Sequence, residues 1–338
     1  MDDLRIAFIG FRHAHIHSLY ERALAMPGVR VVGACEEHDQ TRRELAGSSI
    51  EITHREADRL LDEVECDAVA VGDVYALRGA RLIAGLERGR HVIADKPLCT
   101  RLEEVERIRD LAAGGLEVGC MLTMRDAAGP RAARDLIRKG AIGEVHAIQF
   151  GGQHPLMLGS RPGWYFEPGQ HGGTINDIGI HAIDGIPFIT GLRFTRLEAA
   201  RCWNAFAPET PHFHDGAQML LTMDNGCGVV GDVSYFAPDG PGYALPYYWR
   251  MTFWGREGVL ETATNDDHLE LAPAKGSRVE RRPLPPGNSG GYLDAFLKGI
   301  RGDSREEGEL TTEQVLASSE MALRVQAAAD DGERGVGL

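Results

Sequence analysis

The sequence predicts an α/β protein of two domains, an N-terminal doubly wound parallel sheet and a C-terminal α/β domain on a large, mostly antiparallel, open sheet. From residue 4 to about 122, short apolar or β-branched runs alternate with longer stretches of helical period, the pattern of parallel strands covered by helices. After Gly143 the runs lengthen and alternate, and Asp-Asn-Gly at 224–226 marks a hairpin, as antiparallel strands require. The chain has 338 residues, enough for two cores.

In the first domain, 1–122, the expected strands are RIAFIG, VRVVGAC, IEIT, DAVAVG, HVIAD and EVGCML. Helical stretches such as HIHSLYERALAM and RLEEVERIRDLAAG separate them. In the latter, Val105, Ile108, Leu111 and Ala112 fall on one stripe, as a helix lying on a sheet needs. The second domain, 123–310, is expected to contain strands EVHAIQF, GAQMLLTM, CGVVGDVSY and YWRMTFWG. Two Gly/Pro-rich stretches, 154–173 and 236–247, carry Arg161, Trp164, Tyr165, Tyr243 and Tyr247, and loops of that length commonly wall a pocket. Helical stretches follow at about 290–301 and 311–330. Residues 311–338 are expected to form a closing helix that returns toward the first domain.

Thirty-six Lys and Arg against fifty Asp and Glu leave a formal charge of -14, which repels a phosphate backbone and argues against nucleic acid as a partner. No run is long and apolar enough to span a bilayer, and the start lacks the marks of a signal peptide, so a soluble cytoplasmic protein is expected. The cysteines, at 35, 66, 99, 120, 202 and 227, are widely spaced and form no C-x-x-C pair, which argues against disulfides and against a cysteine zinc site.

The first strand runs into GFRHAH, residues 10–15. A dinucleotide-binding turn reads G-x-G-x-x-G; here Gly10 keeps the position where the chain turns sharply, while Arg12 and His15 replace the other two glycines. Arg12 forfeits close backbone approach to a pyrophosphate but offers a guanidinium in its place. Glu36 follows the second strand, where an acid accepts from both ribose hydroxyls of an unphosphorylated adenosine. The turn alone is equally compatible with a Rossmann domain that binds no nucleotide.

Four further segments carry a resemblance. HVIADKPLCT resembles the HVxxEKPxA stretch of the glucose-fructose oxidoreductase, inositol dehydrogenase and rhizopine-catabolism (Gfo/Idh/MocA) family, with Asp95 for the usual Glu. GGTINDIGIHAID resembles that family's GGGxLxDxGxHxxD, RKGAIGEVHAI its linker into the second domain, and LTTEQVLASSEMALRVQAAADDG its closing helix. The chain departs at Arg12 and at GDVYALR (72–78), where members often have Thr-Pro and a His. The resemblance implies bound NAD in preference to NADP, held by Gly10, Phe11, Arg12, His13, Glu36, Asp73 and Lys96. It also implies a sugar, polyol or cyclitol substrate, and a homodimer or homotetramer formed through the open sheet face.

In a helical INDIGIHAIDGI, Asp177, His181 and Asp184 share one face, with a kink or end near Pro187. His181 suits removal of a hydroxyl proton because imidazole titrates near neutrality. Asp177 would orient it or grip a substrate hydroxyl. Lys96, matching the family's catalytic lysine, would steady negative charge on the reacting oxygen, although Lys96 as the base is open at this point. Candidate substrate contacts are Arg161, Trp164, Asp184, His212 and His214. In a strand, His212 and His214 would point to one side, but no spacing supplies a third ligand, and no metal is expected. His154 and His171 are open to either reading. The expected reaction is hydride transfer between nicotinamide and a secondary alcohol. The alternatives are a redox-neutral NAD-using lyase, epimerase or glycosidase of the same family, and a non-catalytic NAD-binding sensor.

Overall fold

The computed structural model describes residues 3–338. Packing divides them into two compact units, one of residues up to 121 with 169–172 and 292–319, the other of 122–168, 173–291 and 320–338.

The first unit holds strands β1 (Leu4–Ile9), β2 (Val29–Cys35), β3 (Ala68–Val71), β4 (His91–Ala94) and β5 (Val118–Cys120), all parallel in the order β2-β1-β3-β4-β5. Among its helices are α1 (His15–Ala25), α2 (Asp39–Leu45), α3 (Ala57–Glu63), α4 (Tyr75–Glu87) and α5 (Leu102–Ala112). Every residue of β3 is buried, as expected of a strand covered on both faces. On α5 the buried stripe is Glu104, Val105, Ile108 and Ala112, with Leu111 half-buried. One expected strand is corrected: IEIT (50–53) is not a strand. Thr53 and His54 both donate to the Ala34 carbonyl, and the segment contributes one bridge, Cys35 to His54. Two amides spent on one acceptor cannot propagate a ladder.

The second unit opens with α6 (Ala128–Arg138) and β6 (Val145–Pro155), then α7 (Ile180–Thr190). Strands β7 (Phe194–Trp203), β8 (Gly216–Met223), β9 (Gly228–Ala237), β10 (Arg250–Gly255), β11 (Gly258–Thr262), β12 (His268–Pro273) and β13 (Glu280–Pro283) follow. Helix α8 (Gly291–Arg301), from Tyr292 onward, and the first turns of α9 (Thr312–Asp331) belong to the first unit; the rest of α9 and a final strand, β14 (Arg334–Gly337), belong to the second. The nine-stranded sheet runs β13-β12-β11-β10-β6-β9-β8-β7-β14. All its pairs are antiparallel except β6 with β9. The Asp-Asn-Gly turn joins β8 to β9, with Gly226 at φ +84°, a left-handed conformation that glycine adopts without a Cβ penalty. Along β8 and β9 the inward positions are buried while Leu220 and Val230 face outward and exposed, as does Trp254 on β10. The closing segment is therefore a helix followed by an edge strand, not a helix throughout.

Candidate active site

In the first unit the carboxyl ends of β1, β2, β3 and β4 gather Gly10, Glu36, Asp73, Asp95 and Lys96, where ligands of open α/β sheets bind. Gly10 has φ +78°, and a Cβ there would lie 2.6–2.8 Å from Asp73 backbone and Cβ atoms. Only glycine allows that approach. Glu36 is buried, and its carboxylate accepts from the backbone N–H of Phe11 at 2.6 Å and of His38 at 2.7 Å. Burial pushes its carboxyl up, opposed by those two N–H groups. The carboxylate thus fixes the turn to the end of β2 and keeps further lone pairs for a ribose hydroxyl. Arg12 donates from Nε to Asp73 Oδ1 at 2.7 Å, and the Val74 N–H donates to the same oxygen at 2.8 Å. Helix α1 has Ala14 as its N-cap and no side chain capping it, and the N-terminal end of a helix without a side-chain cap favours an anion. These features fit a dinucleotide.

Behind the turn, Asp95 pairs with His13 through Nδ1, with His15 at 3.2 Å and with Arg78 at 3.1 Å. Burial pushes the Asp95 carboxyl up, but His13, Arg78 and His15 outweigh it and hold it well below the usual range. Burial lowers His13 to about 4. His13 Nε2 lies 3.1 Å from the Tyr75 hydroxyl. Arg78 is completely buried; its Nη1 donates to the carbonyls of Asp95 at 2.8 Å and Pro97 at 3.0 Å, on either side of Lys96. The two departures from the family motifs, at Asp95 and within 72–78, thus face one another as an ion pair. Lys96 is itself buried, its Nζ 6.0 Å from the centre of the Tyr75 ring. His171 lies 5.6 Å from that ring, and Gln170 accepts the Ala76 N–H.

In the second unit, residues Ile175–Gly179 form a π-helical turn that leads directly into α7. Such turns widen the backbone locally and recur at functional sites. Asp177 and His181 are both buried. Asp177 Oδ2 accepts the Tyr235 hydroxyl. Burial, then the neighbouring carboxylate, pushes the Tyr235 phenol well up, so it remains a donor. The His181 ring stands edge-on to Trp249 at 5.6 Å. His154 touches Tyr235, Tyr248 and Trp249, with Nε2 3.1 Å from the Tyr248 hydroxyl. Arg161 donates to the Pro155 and Leu156 carbonyls at 2.6 and 2.9 Å, and its guanidinium lies 4.7 Å from the Tyr165 ring and 5.1 Å from that of Tyr235. Trp164 stacks on Tyr165. The aromatic walls therefore come from three places in sequence: the 154–165 segment, Tyr235 on β9, and Tyr248 with Trp249.

Three expected contacts stand differently. Both oxygens of Asp184 are taken by the Arg125 guanidinium at 2.7 Å, with both residues buried, which leaves a substrate contact for Asp184 without support. His212 and His214 do not lie on a strand; β8 begins only at Gly216. They flank the buried Phe213 and diverge, His212 Nε2 toward the Phe166 carbonyl and His214 toward Asp330. Sequence reading passed over Tyr75, Arg78, Tyr235, Tyr248 and Trp249. The first two lie in the 72–78 segment already marked as a departure, and Tyr235 is one of the inward, buried positions of β9.

Residues 4–123 match the family described as "Oxidoreductase family, NAD-binding Rossmann fold", and residues 131–261 match "GFO/IDH/MocA C-terminal domain". A relative from Ensifer adhaerens, 1,5-anhydro-D-fructose reductase, is 33% identical over 39% of this chain, which spans about two fifths (40%) of that protein's length. A solved structure from Thermotoga maritima, described as an oxidoreductase, is 26% identical with a TM-score of 0.83 over 98% of this chain and 100% of that one. An inositol dehydrogenase homologue from Azotobacter vinelandii, solved with NAD+, shares the fold at 19% identity and a TM-score of 0.81 over 100% of this chain and 98% of that one. Among the described residues no helix is long and apolar enough to cross a membrane. With both halves of the chain matched by the same family, and with the turn, the Lys96 strand end and the Asp177–His181 helix in place, the chain belongs to the Gfo/Idh/MocA family of NAD-binding oxidoreductases.

Proposed function

We propose that the protein is a dehydrogenase that oxidises a secondary alcohol of a sugar, polyol or cyclitol. The observation that supports this best is the start of α7, where buried Asp177 and His181 stand within a frame of aromatic rings. Sugar rings pack their C–H faces on such surfaces, and polar groups between the rings fix the hydroxyls. NAD, when bound, supplies the hydride acceptor.

His181 takes the hydroxyl proton. Asp177, oriented by Tyr235, grips the substrate beside it. Lys96 steadies the negative charge that grows on the oxygen, an interaction worth most in the transition state. Arg161 and Trp164 hold the rest of the substrate. Glu36 favours NAD because an anion at the adenosine ribose repels a 2′-phosphate. The outward residues Leu220, Val230 and Trp254 serve as a subunit face in a homodimer or homotetramer, and the protein works in the cytoplasm.

A panel of sugars, polyols and cyclitols, incubated with NAD or NADP, tests the reading when reduced cofactor and product mass are followed separately. Reduced NAD with a product two hydrogens lighter supports it. Conversion without net reduction points to a redox-neutral reaction, and NAD binding without conversion of any compound to a sensor.

A further inference from the structure

We propose a second, distinct site in the second unit: Cys202, His214 and Asp330 bind a divalent transition metal of borderline softness, zinc(II) in the first instance. The three come from β7, the segment before β8, and the end of α9. Their ligand atoms all lie within 4.8 Å of one another, with His214 Nδ1 3.9 Å from Asp330 Oδ1. Bond lengths of about 2.0–2.3 Å to a tetrahedral zinc put neighbouring ligand atoms about 3.3–3.8 Å apart. From the present spacing of at most 4.8 Å, that asks for at most about 1.0–1.5 Å of closure between any two ligand atoms. Thiolate, imidazole and carboxylate together select zinc-like ions over magnesium or calcium, which prefer all-oxygen shells. Asp330 is exposed and the other two half-buried, so water completes the fourth position.

The surroundings are built for such an ion. Gln326, one turn before Asp330 on α9, is buried, and its Oε1 accepts the Ile175 N–H at 2.9 Å. That bond turns its amide so that Nε2 donates to Cys202 Sγ at 3.5 Å and to Asp330 Oδ1 at 3.0 Å. An N–H group aimed at both a thiol sulfur and a carboxylate is the outer-shell arrangement that steadies a metal's anionic ligands. Gly173 makes room for it, because a Cβ there would overlap Gln326. The His214 carbonyl accepts the Thr174 hydroxyl. Both ties run to residues just before Asp177, so the metal braces the entry to the π-helical turn. The ligand positions, 202, 214 and 330, form no sequence motif, which is why the sequence reading expected no metal.

Binding replaces the thiol S–H bond with a metal–sulfur bond and releases that proton to solvent, with no change of oxidation state. The full-length protein, stripped with a chelator and titrated with cobalt(II), should take up one equivalent and show a thiolate-to-cobalt charge-transfer band. Cys202→Ser should lose the band, Cys227→Ser should keep it, and Gln326→Leu should weaken binding by about 10–100-fold. His214→Gln and Asp330→Asn, at less buried positions, should each weaken it at least tenfold and serve if Cys202→Ser does not fold. The His13, His15 and Asp95 group has no thiol and cannot produce the band. Absence of the band in the wild type, its persistence in Cys202→Ser, or unchanged affinity in both His214→Gln and Asp330→Asn overturns the proposal. Because these readouts need no substrate, they stand apart from the proposed dehydrogenase activity.

Discussion

His181 and Asp184 lie three residues apart on one helix, yet their surroundings assign them different work. His181 meets the aromatic frame, and replacing it with Ala should lower turnover by about a hundredfold to ten-thousandfold while NAD affinity, read by titration, stays within about twofold of wild type. Asp184 is clamped by Arg125. Asp184→Ala removes the carboxylate that clamps that buried guanidinium and should cost about 3–5 kcal/mol in urea unfolding, whereas a mere substrate contact would raise KM and leave stability alone. At the turn, Arg12→Ala should weaken NAD and NADP alike, since it sits beneath the pyrophosphate position, and Glu36→Ala should narrow the preference for NAD; direct titration of each variant with both dinucleotides checks this. Lys96, Asp177 and His181 could be proposed from the sequence because their spacing forms motifs. Tyr235 and Trp249 could not, since an aromatic residue in a strand or loop looks the same whether it faces a core or a pocket.

Elements were legible in proportion to how completely they are buried. The strands β1, β3 and β4 are apolar runs bounded by turn residues, and the sequence pattern locates each of them. β13 is wholly exposed and reads ERRP, so no apolar period reveals it, and the edge strand β14 contains two glycines in four residues. The π-helical turn at Ile175–Gly179 was equally hidden, because every residue from Ile175 to Ile186 is buried and there is no one-sided apolar stripe for an inserted residue to shift. The tightest point of the first unit's opening turn is Gly10, where glycine's φ and its closeness to Asp73 act together. Gly10→Ala should destabilise that unit by at least about 1–2 kcal/mol from the left-handed backbone alone, with a further loss as β1 is pushed from β3. Thermal unfolding with and without NAD checks it: the variant should melt lower and gain less from the dinucleotide.

At the scale of the whole molecule, acid should weaken the fold through a buried imidazole. His13 titrates near 6.5 when unfolded and at about 4 when folded, so between those values the unfolded chain holds a proton that the folded chain refuses. Stability is therefore full above about pH 6.5 and falls toward pH 4, at up to about 1.4 kcal/mol per pH unit from this group. Urea unfolding at about pH 7 and about pH 5 should show the loss, and His13→Asn should flatten it. Arg78 extends the same economy of parts to inheritance. One buried guanidinium grips the carbonyls before and after Lys96 and the carboxylate of Asp95, so drift at any of these positions is felt at the others. Asp95→Glu lengthens the side chain that Arg78 holds and should therefore disturb the same guanidinium's bonds on either side of Lys96. Arg78, which touches no substrate in the proposed reaction, thereby narrows the routes by which the site can evolve.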